Sequence, residues 1–183
     1  MMRPGVTRRR FLETAAMAAS AVVVPAGVAA GTAELAPVRT LDFLHTHTGE
    51  RLGLEYFSGG RYLPAALAAL DRLLRDFRTG EIRPIDPPLF DLLHQLRERT
   101  GARSPFQIIS GYRSPMTNAA LRQRSTGVAS GSLHMLGKAI DIRVQDVPLA
   151  RLRDAAIDLR LGGVGYYPGS NFVHVDTGRV RRW

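Results

Sequence analysis

Two short stretches restrict this chain more than any other feature. In Ala139-Ile140-Asp141-Ile142-Arg143-Val144 the even positions are branched and apolar, and the odd positions carry an acid and a base. In Phe172-Val173-His174-Val175-Asp176 the odd positions are Val173 and Val175, and the even ones include an imidazole and a carboxylate. Period two is the signature of a strand with one buried face. Each stretch therefore predicts a strand whose apolar face meets a core and whose other face must satisfy titratable groups. If the two share a sheet, Asp141 and His174 can face one another.

The remaining elements are set by local signals. Val38–His45 and Arg51–Phe57 read as strands around a Thr46–Glu50 turn, a hairpin ended by Ser58-Gly59-Gly60. Leu67, Leu70, Leu73, Leu74 and Phe77 recur at helical spacing and predict a helix over Pro64–Arg78. Asp86-Pro87-Pro88 opens a second helix with a capping acid, and Gly101 stops it. Phe106–Ser110 is a short strand, and Ser114-Pro115 starts a helix running to about Arg124. A Ser/Gly-rich loop then delivers His134 to the Lys138–Val144 strand. A helix ends near Arg160, with Gly162-Gly163 as its stop. Val164–Tyr167, a Pro168-Gly169-Ser170 turn and Asn171–Asp176 form a hairpin as the last strands. The expectation is one α+β domain over residues 34–183: a small antiparallel sheet with helices packed on it.

Residues 1–33 read as an address. Arg8-Arg9-Arg10 precedes Phe11-Leu12, an Ala/Val-rich run comes next, and small residues offer a cleavage site near Val28-Ala29-Ala30. Thr7–Leu12 resembles the twin-arginine export signature. The apolar run is short and broken by Pro25 and Gly27, unlike a membrane anchor. The expected location is the periplasm, with no stable membrane anchor once the signal is cleaved. Cleavage would remove four arginines and one glutamate and lower the formal charge from +9 to +6. Such a protein suits an anionic partner. Nucleic acid is not expected, because export separates the two and no aromatic-interleaved basic run succeeds the signal. Nothing in the chain asks for a second copy, and a monomer is expected.

The sequence has no cysteine, so any metal must be held by nitrogen and oxygen. Two histidines and one carboxylate are the ligand set of a catalytic zinc, with one position left for water. His134, Asp141 and His174 supply that set if the loop places His134 above the two strands. A His…Asp spacing alone is more often structural.

The motifs around these residues add a resemblance. Ser110–Ser114 ("SGYRS"), Ser132–Asp141 ("SLHMLGKAID") and Phe172–Asp176 ("FVHVD") occur in that order. Together they resemble the zinc peptidases that include D-alanyl-D-alanine carboxypeptidases and dipeptidases, relatives of the lysostaphin and hedgehog fold. Ser132, His134, Gly137, Ala139 and Asp141 match every fixed position of the central motif. "HTGE" (47–50), "IISGYRS" (108–114), "GGVGYYP" (162–168) and "SNFVHVDTG" (170–178) are closer still to the murein endopeptidase K group. The resemblance implies zinc on His134, Asp141 and His174, and hydrolysis of peptide cross-links in peptidoglycan, at a D-centre of diaminopimelate bridges. It implies that Arg113 stabilises the oxygen of the attacked carbonyl and that Ser132 positions substrate or a ligand. It also implies that bulk at Gly137 or Ala139 would crowd the metal.

One position departs from the wider family. An acid or histidine usually stands two or three residues before the last ligand and takes a proton from water. Asn171 and Phe172 stand there instead. Asp176 is a candidate base, a carboxylate that orients a ligand, or simply the first residue of the Asp176-Thr177-Gly178 turn. His45 and His47 are further candidates, or exposed turn residues, and His94 reads as a solvated or satisfied side chain of an amphipathic helix. Tyr166 and Tyr167 either line the groove, Tyr167 in contact with substrate, or pack in the core. Two other functions stay open on the sequence: a D,D-carboxypeptidase trimming stem peptides, and a non-catalytic wall-binding module that keeps the metal as a clasp.

Overall fold

The computed structural model describes residues 38–124 and 127–183. The expected export signal and its boundary at residue 33 lie outside them. Among the described residues, no helix is long and apolar enough to cross a membrane.

The hairpin forms as expected. Strand β1 (Arg39–His45) pairs antiparallel with β2 (Arg51–Ser58). A two-residue strand, β3 (Arg61–Tyr62), then folds back on β2. Helix α1 (Pro64–Leu73) stops earlier than its leucine spacing predicts. The reason is Asp76, fully buried, whose backbone N–H bonds the Glu81 carbonyl and whose own carbonyl accepts from Gly80. The chain turns there, and Phe77 leaves the helix. Helix α2 (Pro87–Thr100) begins at the double proline and ends at Gly101, which takes φ 68°. Asp86 does not cap it through its side chain; its carboxylate accepts from Thr177 Oγ1 at 2.6 Å. Pro87 and Pro88 have no N–H to offer a capping acid, and Leu89 N–H bonds the Asp86 carbonyl, so the carboxylate is free to tie the helix start to a distant turn.

Strand β4 (Phe106–Ser110) leads to α3 (Pro115–Arg124). Then come β5 (Ala139–Val144), α4 (Leu149–Leu159), β6 (Gly163–Tyr167) and β7 (Phe172–Asp176). A further two-residue strand, β8 (Arg181–Arg182), comes after β7, so the FVHVD strand is not the last. The α4 helix ends on Arg160 rather than on the glycine pair.

The architecture is α+β, but the sheet is larger than expected. Eight strands are ordered β3-β2-β1-β4-β5-β7-β6-β8. Most pairs are antiparallel; β1 with β4 and β6 with β8 run parallel. The apolar face of β5 and β7 (Ile140, Ile142, Val173, Val175) is buried with Leu89, Leu93 and Leu96 of α2 and Leu152 of α4. Each such leucine contributes about 2 kcal/mol by leaving water. With α2 and α4 holding that face, the odd positions of β5 and the even positions of β7 are left for chemistry.

Candidate metal centre

Strands β5 and β7 are neighbours, and Asp141 stands directly opposite His174. The third residue arrives from a 3₁₀ turn, Leu133–Leu136, just before β5. That turn closes on Gly137 in the left-handed region at φ 66°, where a Cβ would also press on the Pro84 backbone. The glycine is therefore demanded by backbone geometry, not by crowding at a metal. On the other side, β4 carries a register irregularity between Ile108 and Ser110, which brings Ser110 opposite Asp141. Such a bulge bends a strand and re-aims the residues beyond it. Here it swings Gly111 and Arg113 toward the same point.

The three side chains converge tightly. Asp141 Oδ1 is 2.9 Å from His174 Nδ1 and 3.2 Å from His134 Nε2, and the two nitrogens are 3.2 Å apart. All three residues are buried. The outer nitrogens decide the tautomers. His134 Nδ1 lies 2.7 Å from the Gly111 carbonyl, which can only accept, so Nδ1 carries the hydrogen. His174 Nε2 lies 3.0 Å from Asp176 Oδ2 and donates likewise. With both rings neutral, two nitrogen lone pairs and a carboxylate oxygen point at one another. Such a cluster calls for positive charge at its centre. Donors about 2.0–2.1 Å from a tetrahedral ion lie about 3.3 Å apart, close to the spacings seen here. His134, Asp141 and His174 could therefore hold a metal ion.

The pKa directions of the two imidazoles differ. Burial lowers the pKa of His134, favouring the neutral ring a metal needs. Burial acts the same way on His174, but hydrogen bonds to Asp141 and Asp176 outweigh it and raise its pKa. Burial opposes ionisation of Asp141, yet the neighbouring His134, His174 and Arg113 hold it ionised, far below the ordinary carboxylate range.

Arg113 is fixed beside this centre. Its Nε donates to Ser110 Oγ at 2.8 Å and its Nη2 to Asp141 Oδ2; neither bond uses Nη1. Ser132 is buried directly before the 3₁₀ turn, and its carbonyl accepts from Met135 N–H. Asp176 meets the centre only through the far nitrogen of His174. Its oxygens accept from Gly163 N–H, Gly178 N–H and both Nη atoms of Arg181. Burial raises its pKa, but these donors and His174 outweigh burial and depress it strongly.

The centre forms the floor of a cleft of about 420 Å³. Arg113, Ser132 and Tyr167 line it, as do Phe172, Arg181 and Trp183. These last three carried no functional signal in the sequence, apart from the position of Phe172 in the motif. Tyr167 stacks on Phe172 at 4.6 Å, and its hydroxyl accepts from Trp183 Nε1 at 2.7 Å. The Trp183 ring sits 5.3 Å from His174. Tyr166 points elsewhere, under Arg153 at the margin of the core. His45, His47 and His94 are not among the lining residues. His45 instead braces the β1–β2 turn, its Nδ1 accepting the N–H groups of His47 and Thr48. Among the described lining residues, Asp141 carries the only carboxylate.

Asn171 is exposed and is not part of this lining. It ends the Pro168–Ser170 turn at φ 53°, a conformation asparagine tolerates better than most side chains. The residue at the position of the usual acid thus serves the backbone.

Comparison with known proteins adds the family. A family model described as "Peptidoglycan L,D-endopeptidase MepK" matches residues 33–183. The chain belongs to this peptidase family. Peptidoglycan L,D-endopeptidase MepK of Escherichia coli (strain K12) is 45% identical over 176 residues, covering 96% of each chain. The protein of the same name from Shigella flexneri matches to the same extent. A probable peptidoglycan L,D-endopeptidase MepK from Haemophilus influenzae is 44% identical, over 96% of this chain and 95% of the relative.

Proposed function

We propose that this protein is a zinc-dependent endopeptidase that hydrolyses peptide cross-links of peptidoglycan in the periplasm, between an L- and a D-centre. One observation carries the reading: two imidazoles and a carboxylate, with tautomers set by outside partners, converge on the floor of an open cleft beside a fixed guanidinium. Family membership and relatives named for this activity support it. Residues 1–33 are proposed to be the twin-arginine signal that delivers the folded domain, residues 34–183.

His134, Asp141 and His174 would hold the zinc. The ion, when bound, supplies Lewis acidity toward a peptide carbonyl and makes water a competent nucleophile near neutral pH. Arg113 stabilises the negative charge that develops on the carbonyl oxygen. Its bond to Asp141 Oδ2 fixes its position and leaves Asp141 Oδ1 to the donor set. Asp176 orients His174 through Nε2 and is not free to take a proton from water, since its oxygens already accept from several donors. Ser132 and Tyr167 border the peptide, Tyr167 as part of an aromatic wall with Phe172 and Trp183.

The test is digestion of purified sacculi by the mature protein, with and without chelator, and by His134→Ala. Chelator-sensitive loss of cross-linked dimers with appearance of monomers is the expected result. Loss of terminal alanine alone would identify a carboxypeptidase. Unchanged sacculi, with zinc bound at one equivalent, would identify a non-catalytic module and overturn the proposal.

A further inference from the structure

The surface that carries the cleft continues past it. Arg181 lines the cleft and also a second groove of about 600 Å³. Trp183 lines the cleft and a third hollow, and Arg182 lines the second and third together. Strand β8 is thus a divide with neighbouring depressions around it. The second groove lies where α2 and α4 end, at Arg99 and Arg160.

Its lining is basic. Arg99, Arg160, Arg181 and Arg182 face one acid, Asp158. Asp158 pairs with Arg99 at 3.1 Å, and Arg181 is drawn to Asp176 at 2.7 Å. Among the described residues, Arg160 and Arg182 enter no ion pair. Arg160 also holds φ 54°, ψ 31° at the end of α4, where glycine is the usual residue because a Cβ is disfavoured there. Complementing the helix dipole does not require that backbone conformation. A strained arginine that lines a groove points to a use for its side chain.

We propose that this groove holds a second, carboxylate-bearing segment of the substrate polymer while the cross-link lies in the cleft. The inference rests on the peptidase reading above. A cross-link joins two strands, each bearing peptides with free carboxylates, so material leaving the cleft beside Arg181 and Trp183 runs onto this surface. Guanidinium groups pair with carboxylates in a bidentate fork, which favours arginine for this task. The site sets grip on the polymer and leaves bond cleavage to the cleft.

The experiment compares the parent with Arg160→Gly, Arg182→Gln and the double variant. Binding to sacculi is measured by co-sedimentation with chelator present, so that the polymer stays intact. Hydrolysis is measured separately, with zinc, on a small soluble cross-linked peptide lacking flanking strands. The double variant is expected to bind sacculi about fivefold or more weakly at low salt, with the difference vanishing at high salt. Hydrolysis of the small peptide is expected to be unchanged. Arg160→Gly should melt no lower than the parent, because glycine accepts its backbone angles. Sacculi whose carboxyls have been amidated should bind the parent as weakly as untreated sacculi bind the double variant. Equal binding by parent and double variant overturns the proposal. So does an equal loss on the small peptide, or amidation without effect. Failure of the parent to cut the small peptide counts against the peptidase reading instead, and the binding comparison still decides the groove.

Discussion

His174 is held at its outer nitrogen by Asp176, while its inner nitrogen faces Asp141 Oδ1 at 2.9 Å. The outer bond keeps Nδ1 free to donate its lone pair. Asp176→Asn removes the charge behind the ring and should weaken zinc binding by about 10–100-fold, as outer partners of metal ligands do. Competition with a chromophoric chelator measures this. Asn171 gives the opposite expectation. Its role is a left-handed turn, so Asn171→Ala should cost about 1 kcal/mol in denaturant unfolding and leave kcat/KM for the small peptide unchanged. Loss of activity without loss of stability would restore Asn171 as a chemical residue. At this scale the donor set was legible because alternation places Asp141 and His174 on one face each, and an ordered motif ties His134 to them. Of the two tautomer-setting partners, Asp176 was legible as a carboxylate that could orient a ligand, and Gly111 was not. Gly111 contributes only a carbonyl, and no residue type announces where a carbonyl will point.

Elements were legible where punctuation was strong. The β1–β2 hairpin, the double proline that opens α2 and Gly101 that closes it all stand where expected. Strands β3 and β8, of two residues each, are too short to show a period. Leucine spacing overstates helix α1 because it continues past the point where Asp76 is drawn inward. Burial raises the pKa of Asp76, but hydrogen bonds from Thr117, Ser114 and Arg78 outweigh it and hold the carboxyl below its ordinary value. A depressed carboxylate adds stability above its unfolded pKa of about 3.9 and loses it as pH falls through the lower folded value. Asp76→Ala should therefore destabilise the fold by about 3 kcal/mol at pH 7, since Ser114 and Arg78 N–H groups lose their acceptor. The gap from the parent should narrow below about pH 4. Chemical denaturation at both pH values tests this. Strand β6 supplies another handle. A Cβ on Gly165 would lie 2.8 Å from the Trp183 ring, so the ring crosses β6 only because residue 165 is bare. Trp183 is the only tryptophan of the sequence. Gly165→Ala should displace it, shift its fluorescence and raise KM for the cross-linked peptide more than it lowers kcat. An unchanged spectrum would count against this placement of the ring.

Across the whole molecule, the donor set would couple a bound metal to folding. Three lone pairs held face to face repel unless a cation joins them, so a bound ion stabilises the native state by mass action. Zinc at about a thousandfold above its dissociation constant adds about 4 kcal/mol, or about 10 °C in Tm for a domain of this size. Calorimetry with and without chelator checks the shift. Local patterns revealed the strands that meet at the centre, whereas sheet order, the parallel pairs and the turn of β8 past the cleft depend on long-range packing that no window of sequence contains.

The two ends of that sheet bear on how the protein behaves among its own copies. A long bare edge recruits further strands and begins aggregates. Here the outer strands are Arg61–Tyr62 and Arg181–Arg182, each two residues long and carrying arginine. A visiting strand would find few backbone groups to pair with and charge to repel a basic neighbour. The two tips of the eight-stranded sheet are thereby poor templates for growth without the sheet being rolled into a barrel, which suits an enzyme that works among polymer strands.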